Sequence, residues 1–377
     1  MIALEPAPAP AVATASPTRS RSAPLPSPSP TALPETPFDL EDASEEALGQ
    51  LGKSGNTAAA AILARRAIGR WDHDRARLWI PLAGSEHSLL TARAKQADLD
   101  ERDAIRGPRL LLRQLQPREA LTQLQLLLER HPRGPKLRTQ EAKALLWLGR
   151  SRAAISALDK GATGPQAMEI RGVANENLQA GLEDTSARAT LHSAWDCYRG
   201  GGWTWDKSRR TIRARGVGLG PFGLCGLLDR ASERQEGAFK SSVEVRLERD
   251  QPGKYGGLLL LKDAGTGLLV YLYYAPESIP PEYAERVAKF PPGEVTMLRV
   301  AYLYREEWQP FAEDQAFAHN PTGWHSLEVS YEGSQIQVTV DGVKGEPIQL
   351  HGLASGRAGV LKWYDHTLEF RNFKTGP

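Results

Sequence analysis

The apolar periodicity of this chain changes near Trp195, and that change restricts the fold more than any other feature. Upstream, Ala and Leu recur at helical spacing, prolines sit at boundaries and β-branched residues are sparse. Ala58 to Ile68 is rich in strong helix formers. Pro117 to Arg130 is clearer: Pro117 suits a first helical turn, Leu121, Leu124, Leu127 and Leu128 fall on one stripe, and His131-Pro132 ends it. Downstream, glycines come every few residues and the period becomes two. Val243, Val245 and Leu247 alternate with Glu244, Arg246 and Glu248. Leu327, Val329 and Tyr331 alternate with polar residues, as do Ile336, Val338 and Val340. Glu332-Gly333-Ser334 joins the last two runs as a hairpin turn, and Asp341-Gly342 ends the second. Leu258 to Leu261 and Leu268 to Tyr274 are continuously apolar, which predicts central strands covered on both faces. The expectation is a multidomain chain, α then β, whose second part is an antiparallel sandwich or barrel.

The helical half contains an internal repeat. A shift of 34 lays Leu111, Leu112, Arg118, Ala120 and Leu124 on Leu145, Leu146, Arg152, Ala154 and Leu158. A third, weaker copy ends with Ala187, Leu191 and Ala194, whereas residues 71–105 do not overlay. Ala120-Leu124-Leu127 and Ala154-Leu158-Gly161 mark one face of a helix that packs closely on its neighbour. With Gly149 at a turn and Pro132 at a repeat end, the pattern resembles the tetratricopeptide repeat. The resemblance implies two or three recognisable repeats in a longer helical array with a concave surface for a protein partner. Pro108 stands where that repeat expects a small residue, so its helix should be short.

The β half carries GWHSLEVSYEGSQIQVTVDGV (323–343), then GRAGVLKWYDHTLEFRNF (356–373), after FKSSVEVRLERDQPGKYGGLLLLKD (239–263). These stretches resemble concanavalin A-like sandwiches, the laminin G-like and 3-keto-disaccharide hydrolase-like families among them. The resemblance implies a jelly roll of about 180 residues, a fold that serves lectins, adhesive modules and glycosidases alike. Retaining glycosidases on this fold carry paired acids in a Glu-x-Asp-x-x-Glu strand. Here Glu244-Val-Arg-Leu-Glu248 has Arg246 where an acid is needed, and Tyr255-Gly256-Gly257-Leu258 lacks the polar start seen in keto-glycoside relatives.

Residues 1–38 are Pro, Ala and Ser with few apolar anchors, a composition that predicts a disordered spacer. The division expected is thus 1–38 tail, 39–194 helical repeat domain and 195–377 β-sandwich, with Tyr198-Arg-Gly-Gly-Gly202 as the flexible break. With 47 basic against 45 acidic residues, interspersed, nothing draws the chain to nucleic acid or an anionic membrane. No apolar run reaches the ~20 residues that span a bilayer. Met1-Ile-Ala-Leu-Glu-Pro is not read as a signal peptide, so the sequence as written predicts a soluble chain. It is also consistent with the targeting end of a longer anchored protein, in which case an extracytoplasmic or cell-envelope location follows.

Cys197 and Cys225 have no metal-ligand spacing and are read as buried small hydrophobes, with pairing open in an oxidising compartment. His319, His325, His351 and His366 have no metal spacing either and are read as surface or hydrogen-bonded residues. Gly216 to Gly226 lacks the Lys-Ser/Thr of a phosphate loop. No cofactor is called for. Trp203, Trp205 and Trp324 are expected in the core.

The candidate ligand residues are Tyr271 and Tyr273, two apart on one strand face, Trp308 after the long strand 295–305, and Trp363, Asp365 and His366, with Tyr364 in a turn expected to be exposed. Glu306-Glu307-Trp308 is read as a loop. These readings favour a non-catalytic recognition or scaffold protein, with repeats holding a protein and the sandwich a glycan or protein. The alternative is a carbohydrate-active hydrolase with an unfamiliar acid pair.

Overall fold

A computed structural model describes residues 40–179, 194–219, 223–232, 235–236, 238–247, 254–274, 295–305, 307–332, 334–350, 355–364 and 366–376. The 1–38 tail, Ala187 and Leu191 of the third repeat copy, Glu248, Glu306, Gly333, His351 and Asp365 lie outside these residues.

The helices are α1 (Glu45–Lys53), α2 (Thr57–Gly69), α3 (His73–Trp79), α4 (His87–Ala104), α5 (Arg106–Arg113), α6 (Pro117–Arg130), α7 (Pro135–Trp147), α8 (Ser151–Leu158) and α9 (Pro165–Gln179). Four of their junctions use the same device. After α1, α2, α5 and α7 the chain turns through a residue of positive φ: Gly55 (98°), Trp71 (56°), Leu115 (63°) and Gly149 (70°). In each, the N–H one residue later reaches back to a carbonyl of the last turn, as in Asn56 to Leu51, Asp72 to Ala67, Gln116 to Leu111 and Arg150 to Leu145. This is the Schellman closure, which satisfies carbonyls a helix end leaves open and sends the chain into an antiparallel neighbour. Asn56 and Asp72 then cap the next helix by accepting from Ala59 and Arg75 N–H.

The α5–α6 junction recurs at α7–α8 at the 34-residue spacing. Arg113 and Trp147 end the first helices, and Pro117 and Ser151 begin the second. Ala120, Leu124, Ala154 and Leu158 are buried, as a closely packed helix face requires. Helix α5, with Pro108 inside it, runs only eight residues.

The strands are β1 (Trp195–Tyr198), β2 (Gly200–Asp206), β3 (Thr211–Gly218), β4 (Cys225–Asp229), β5 (Gln235–Glu236), β6 (Phe239–Arg246), β7 (Tyr255–Asp263), β8 (Thr266–Tyr274), β9 (Val295–Tyr304), β10 (Glu307–Pro310), β11 (Gln315–Ala318), β12 (Trp324–Glu332), β13 (Gln335–Val340), β14 (Val343–Lys344), β15 (Ile348–Gln349), β16 (Ser355–Trp363) and β17 (Leu368–Gly376). They form two antiparallel sheets. The first runs β1-β4-β16-β7-β8-β9-β10, with β11 also on β9 and β5 on β16. The second runs β14-β13-β12-β6-β17-β3-β2, with β15 on β13. The inner faces close on each other through residues such as Leu227, Leu258, Val270 and Val360 of the first sheet and Val243, Leu327, Val338 and Phe370 of the second. The molecule is therefore an α-helical array followed by an antiparallel β-sandwich.

The outer face of the first sheet is apolar too, and helices cover part of it. Leu228, Leu259, Leu261, Leu269, Ala301 and Leu303 share one hydrophobic cluster with Leu112, Leu115, Leu146 and Trp147. Polar contacts fix the seam. Ala264 N–H donates to Arg113 O at 2.8 Å, Tyr198 Oη donates to Ala264 O at 2.7 Å, and the Trp147 and Tyr198 rings meet edge-on at 5.6 Å. Asn177 of α9 bonds the Val217 backbone in both directions, at 2.8 and 3.0 Å. This packing explains why β7 and β8 read as continuous apolar runs: each alternate residue has a hydrophobic partner on its own side.

Cys197 and Cys225 are buried on the inner side. Burial pushes the Cys225 thiol up to about 11. Of the three tryptophans expected in the core, only Trp203 is there, 2% exposed. Trp205 is 36% exposed on the outlying hairpin β2–β3, and half-buried Trp324 lies on the outer face of the second sheet with the Arg371 guanidinium 4.1 Å above its ring.

Candidate functional site

Strand register brings distant aromatic residues together at one end of the first sheet's outer face. Trp363, Tyr255 and Tyr273 stand in one cross-strand row, since Tyr255 pairs with both others. The next row contains Leu361, Gly257, Tyr271 and Arg299. The Tyr255 ring lies 5.2 Å from Tyr273, 5.3 Å from Tyr364 and 6.2 Å from Trp363. Tyr271 meets Trp363 edge-on at 4.3 Å, and Trp308 from β10 closes on Trp363 at 5.1 Å.

The sequence candidates thus converge, but not at equal depth. Tyr271 is fully buried and Trp363 is 3% exposed. Trp363 is the last residue of β16 rather than part of an exposed turn, and it packs against Trp308 and Tyr271 on the outer face, not between the sheets. Tyr255, Tyr273 and Trp308 are half-buried, and Tyr364, at positive φ, is 38% exposed. Half-buried His366 borders the cluster, its ring 6.4 Å from Tyr364. The layout is a floor of Tyr271 and Trp363 below accessible faces of Tyr255, Tyr273, Trp308 and Tyr364.

A polar pole completes the cluster. Arg299 holds Asp314 through two parallel bonds, Nε to Oδ1 at 2.7 Å and Nη2 to Oδ2 at 2.5 Å. Tyr273 Oη donates to the same Asp314 oxygen at 2.5 Å, and the guanidinium sits 5.4 Å from the Tyr273 ring centre. The Asp314 hydrogen bond raises the Arg299 pKa, so the guanidinium keeps its charge. Burial pushes the Tyr273 phenol far up, and its bond to the carboxylate pushes it further. Burial likewise raises Tyr271, with Arg299 opposing but closing no hydrogen bond of ordinary geometry. Tyr271 Oη and Trp363 Nε1 are buried polar atoms without a hydrogen-bond partner among the described residues.

Arg299, Asp314 and Tyr255 were missed in the sequence reading. Arg299 had a signal, as the one charge in the strand VTMLRVAYLY. Asp314 lies in a loop and Tyr255 at a strand start, and only register makes them neighbours.

Two other polar clusters are structural. His73, Asp98 and Glu101 bring possible metal-ligand atoms within 4.8 Å, but Lys136 supplies the cation. Glu101 also accepts from Lys136 and Leu137 N–H and so caps α7. Between the sheets, His325 Nδ1 lies 2.8 Å from Asp341 and its Nε2 3.3 Å from His319 Nδ1, with Thr296 Oγ1 2.9 Å from the same His319 atom. His325 is fully buried, which makes this a core network.

The class defined by the fold is a helical array seated on an antiparallel β-sandwich, with an aromatic cluster at one end of the first sheet's outer face. No family model matches the chain, and no curated protein does. Among solved structures it is similar to a carbohydrate-binding module, CBM66 from Bacillus subtilis (16% identity, 49% of this chain and 96% of that one, TM-score 0.36). It is also similar to the Emp46p carbohydrate recognition domain in its metal-free form (10% identity, 52% and 93%, TM-score 0.34) and to a xylan β-1,4-xylosidase from Bacillus halodurans C-125 (10% identity, 49% and 37%, TM-score 0.34). The sandwich assignment rests on the strand pairing itself.

Proposed function

We propose that this is a non-catalytic recognition protein that binds a glycan at the aromatic end of the first sheet's outer face. The observation that carries this reading is the cluster of Tyr255, Tyr273, Trp308 and Tyr364 around the Arg299–Asp314 pair. Flat π-faces stack on the C–H faces of sugar rings, and fixed donors beside them orient hydroxyls. Asp314, committed to Arg299 and Tyr273, is a structural anion and not a free acid or base.

In this reading the helices are tetratricopeptide-like hairpins, and residues 39–194 and 195–377 are their natural divisions. One face of the array holds the sandwich. Exposed Leu110, Leu126 and Met168 of the array are apolar contacts for a protein partner in this reading. Among the described residues no helix is long and apolar enough to cross a membrane.

The test is a glycan microarray probed with the full chain and with Tyr364→Ala. Binding to a subset of glycans is expected, weakened at least tenfold by a substitution that leaves the melting temperature unchanged. Equal binding by the variant would remove the aromatic end as the site. Release of new reducing ends from a bound glycan would favour the hydrolase instead.

A further inference from the structure

Resting on that glycan reading, we infer that the site selects an uncharged sugar and that the Arg299–Asp314 pair sets this selectivity. Among the described residues Arg299 is the cation over a ring of the cluster, while the fully buried Lys362 donates to the Tyr364 carbonyl; Asp314 neutralises Arg299 one to one through two parallel bonds, with the carboxylate only 2% exposed. Among the described residues the other groups of the floor and walls are phenols and indoles, with the His366 imidazole at the border, and burial raises the phenols Tyr255, Tyr271 and Tyr273 so that they stay neutral. An acidic sugar entering here sheds its hydration and meets, at Arg299, a positive charge already neutralised by Asp314. Its carboxylate also faces Asp314, and desolvation then exceeds the Coulombic gain.

A hydroxyl meets the opposite situation. Arg299 spends Nε and Nη2 on Asp314, which leaves Nη1 to donate to a ligand oxygen. The buried Tyr271 Oη and Trp363 Nε1 are polar atoms that a well-ordered protein interior normally pairs. Both lie covered in the floor, so the donor left for a ligand hydroxyl is Arg299 Nη1. The ion pair works as a fixed dipole for polyols, and Asp314 acts as a positioning residue that also cancels charge.

The experiment measures binding of the full chain to paired oligosaccharides that differ only in oxidation at C6, hexose against hexuronate, by microarray and then calorimetry. Preference for the neutral member by at least tenfold is expected. Asp314→Asn, which leaves Arg299 uncompensated, should shift preference toward the hexuronate. The double variant Arg299→Gln/Asp314→Asn, neutral again, should weaken neutral binding without gaining hexuronate binding. A purely structural Asp314 would lower affinity for both members alike, and that result overturns the inference. Wild-type preference for hexuronate overturns it while leaving the glycan reading intact. Binding to neither member of any pair removes both.

Discussion

Trp363 lies elsewhere than its sequence neighbours suggest. Its neighbours Tyr364 and Asp365 suggest a turn, yet β16 continues through it and the side chain lies under rings from β8 and β10. The covering residues are distant in sequence, so no local pattern predicts the burial. Trp363→Ala is accordingly a stability variant before it is a binding variant. It should cost about 3–5 kcal/mol in urea unfolding, and a loss under about 1 kcal/mol would contradict the buried floor. Glu369 offers a second test at this scale. Burial pushes its carboxyl up, but hydrogen bonds from Arg213 and Arg246 pull harder and hold it below the ordinary glutamate range. A lowered folded-state value adds stability above the unfolded value of about 4.3, and that stability is lost as pH falls through the folded value. Glu369→Gln should therefore lower the melting temperature at pH 7, with the gap closing in acid below about pH 4. A gap that persists unchanged to pH 3 would show that the ion pairs contribute nothing.

At the scale of elements, the sequence reading was strongest where one segment carries its own signal. The 2-residue period of β6, β12 and β13 and the proline-initiated α6 needed no partner to be recognised. The helix turns were half legible. Gly149 announces a left-handed residue, but Leu115 and Trp71 take the same conformation without glycine, because their side chains are held in the core. Sheet order was not legible, since β16 inserts between β4 and β7 and only long-range register puts Trp363 beside Tyr255. Ala154 tests the packing of the repeated hairpin. It is fully buried between α8 and its neighbours, and Ala154→Leu should cost about 1–3 kcal/mol through overpacking. An unchanged unfolding midpoint would mean that α7 and α8 do not approach closely.

For the molecule as a whole, the seam between helices and sandwich bears on stability. The periodicity break near Trp195 suggests two parts, yet Leu112, Leu146 and Trp147 share a core with Leu228, Leu261 and Leu303 across it. Cutting there would expose that apolar sheet face to water, so residues 195–377 alone should aggregate or fail to fold, and the full chain should melt in one transition. Two well-separated transitions would show that the seam contributes little. Helix residues share an apolar cluster with part of the outer face, and the aromatic end is where a ligand is proposed to bind. The most direct test is a crystal structure of the full chain with an oligosaccharide selected on the microarray. The account predicts a sugar ring against Tyr255, Tyr273 or Tyr364, with a hydroxyl at Arg299. A sugar bound instead on the outer face of the second sheet or among the helices, with these rings untouched, would contradict it.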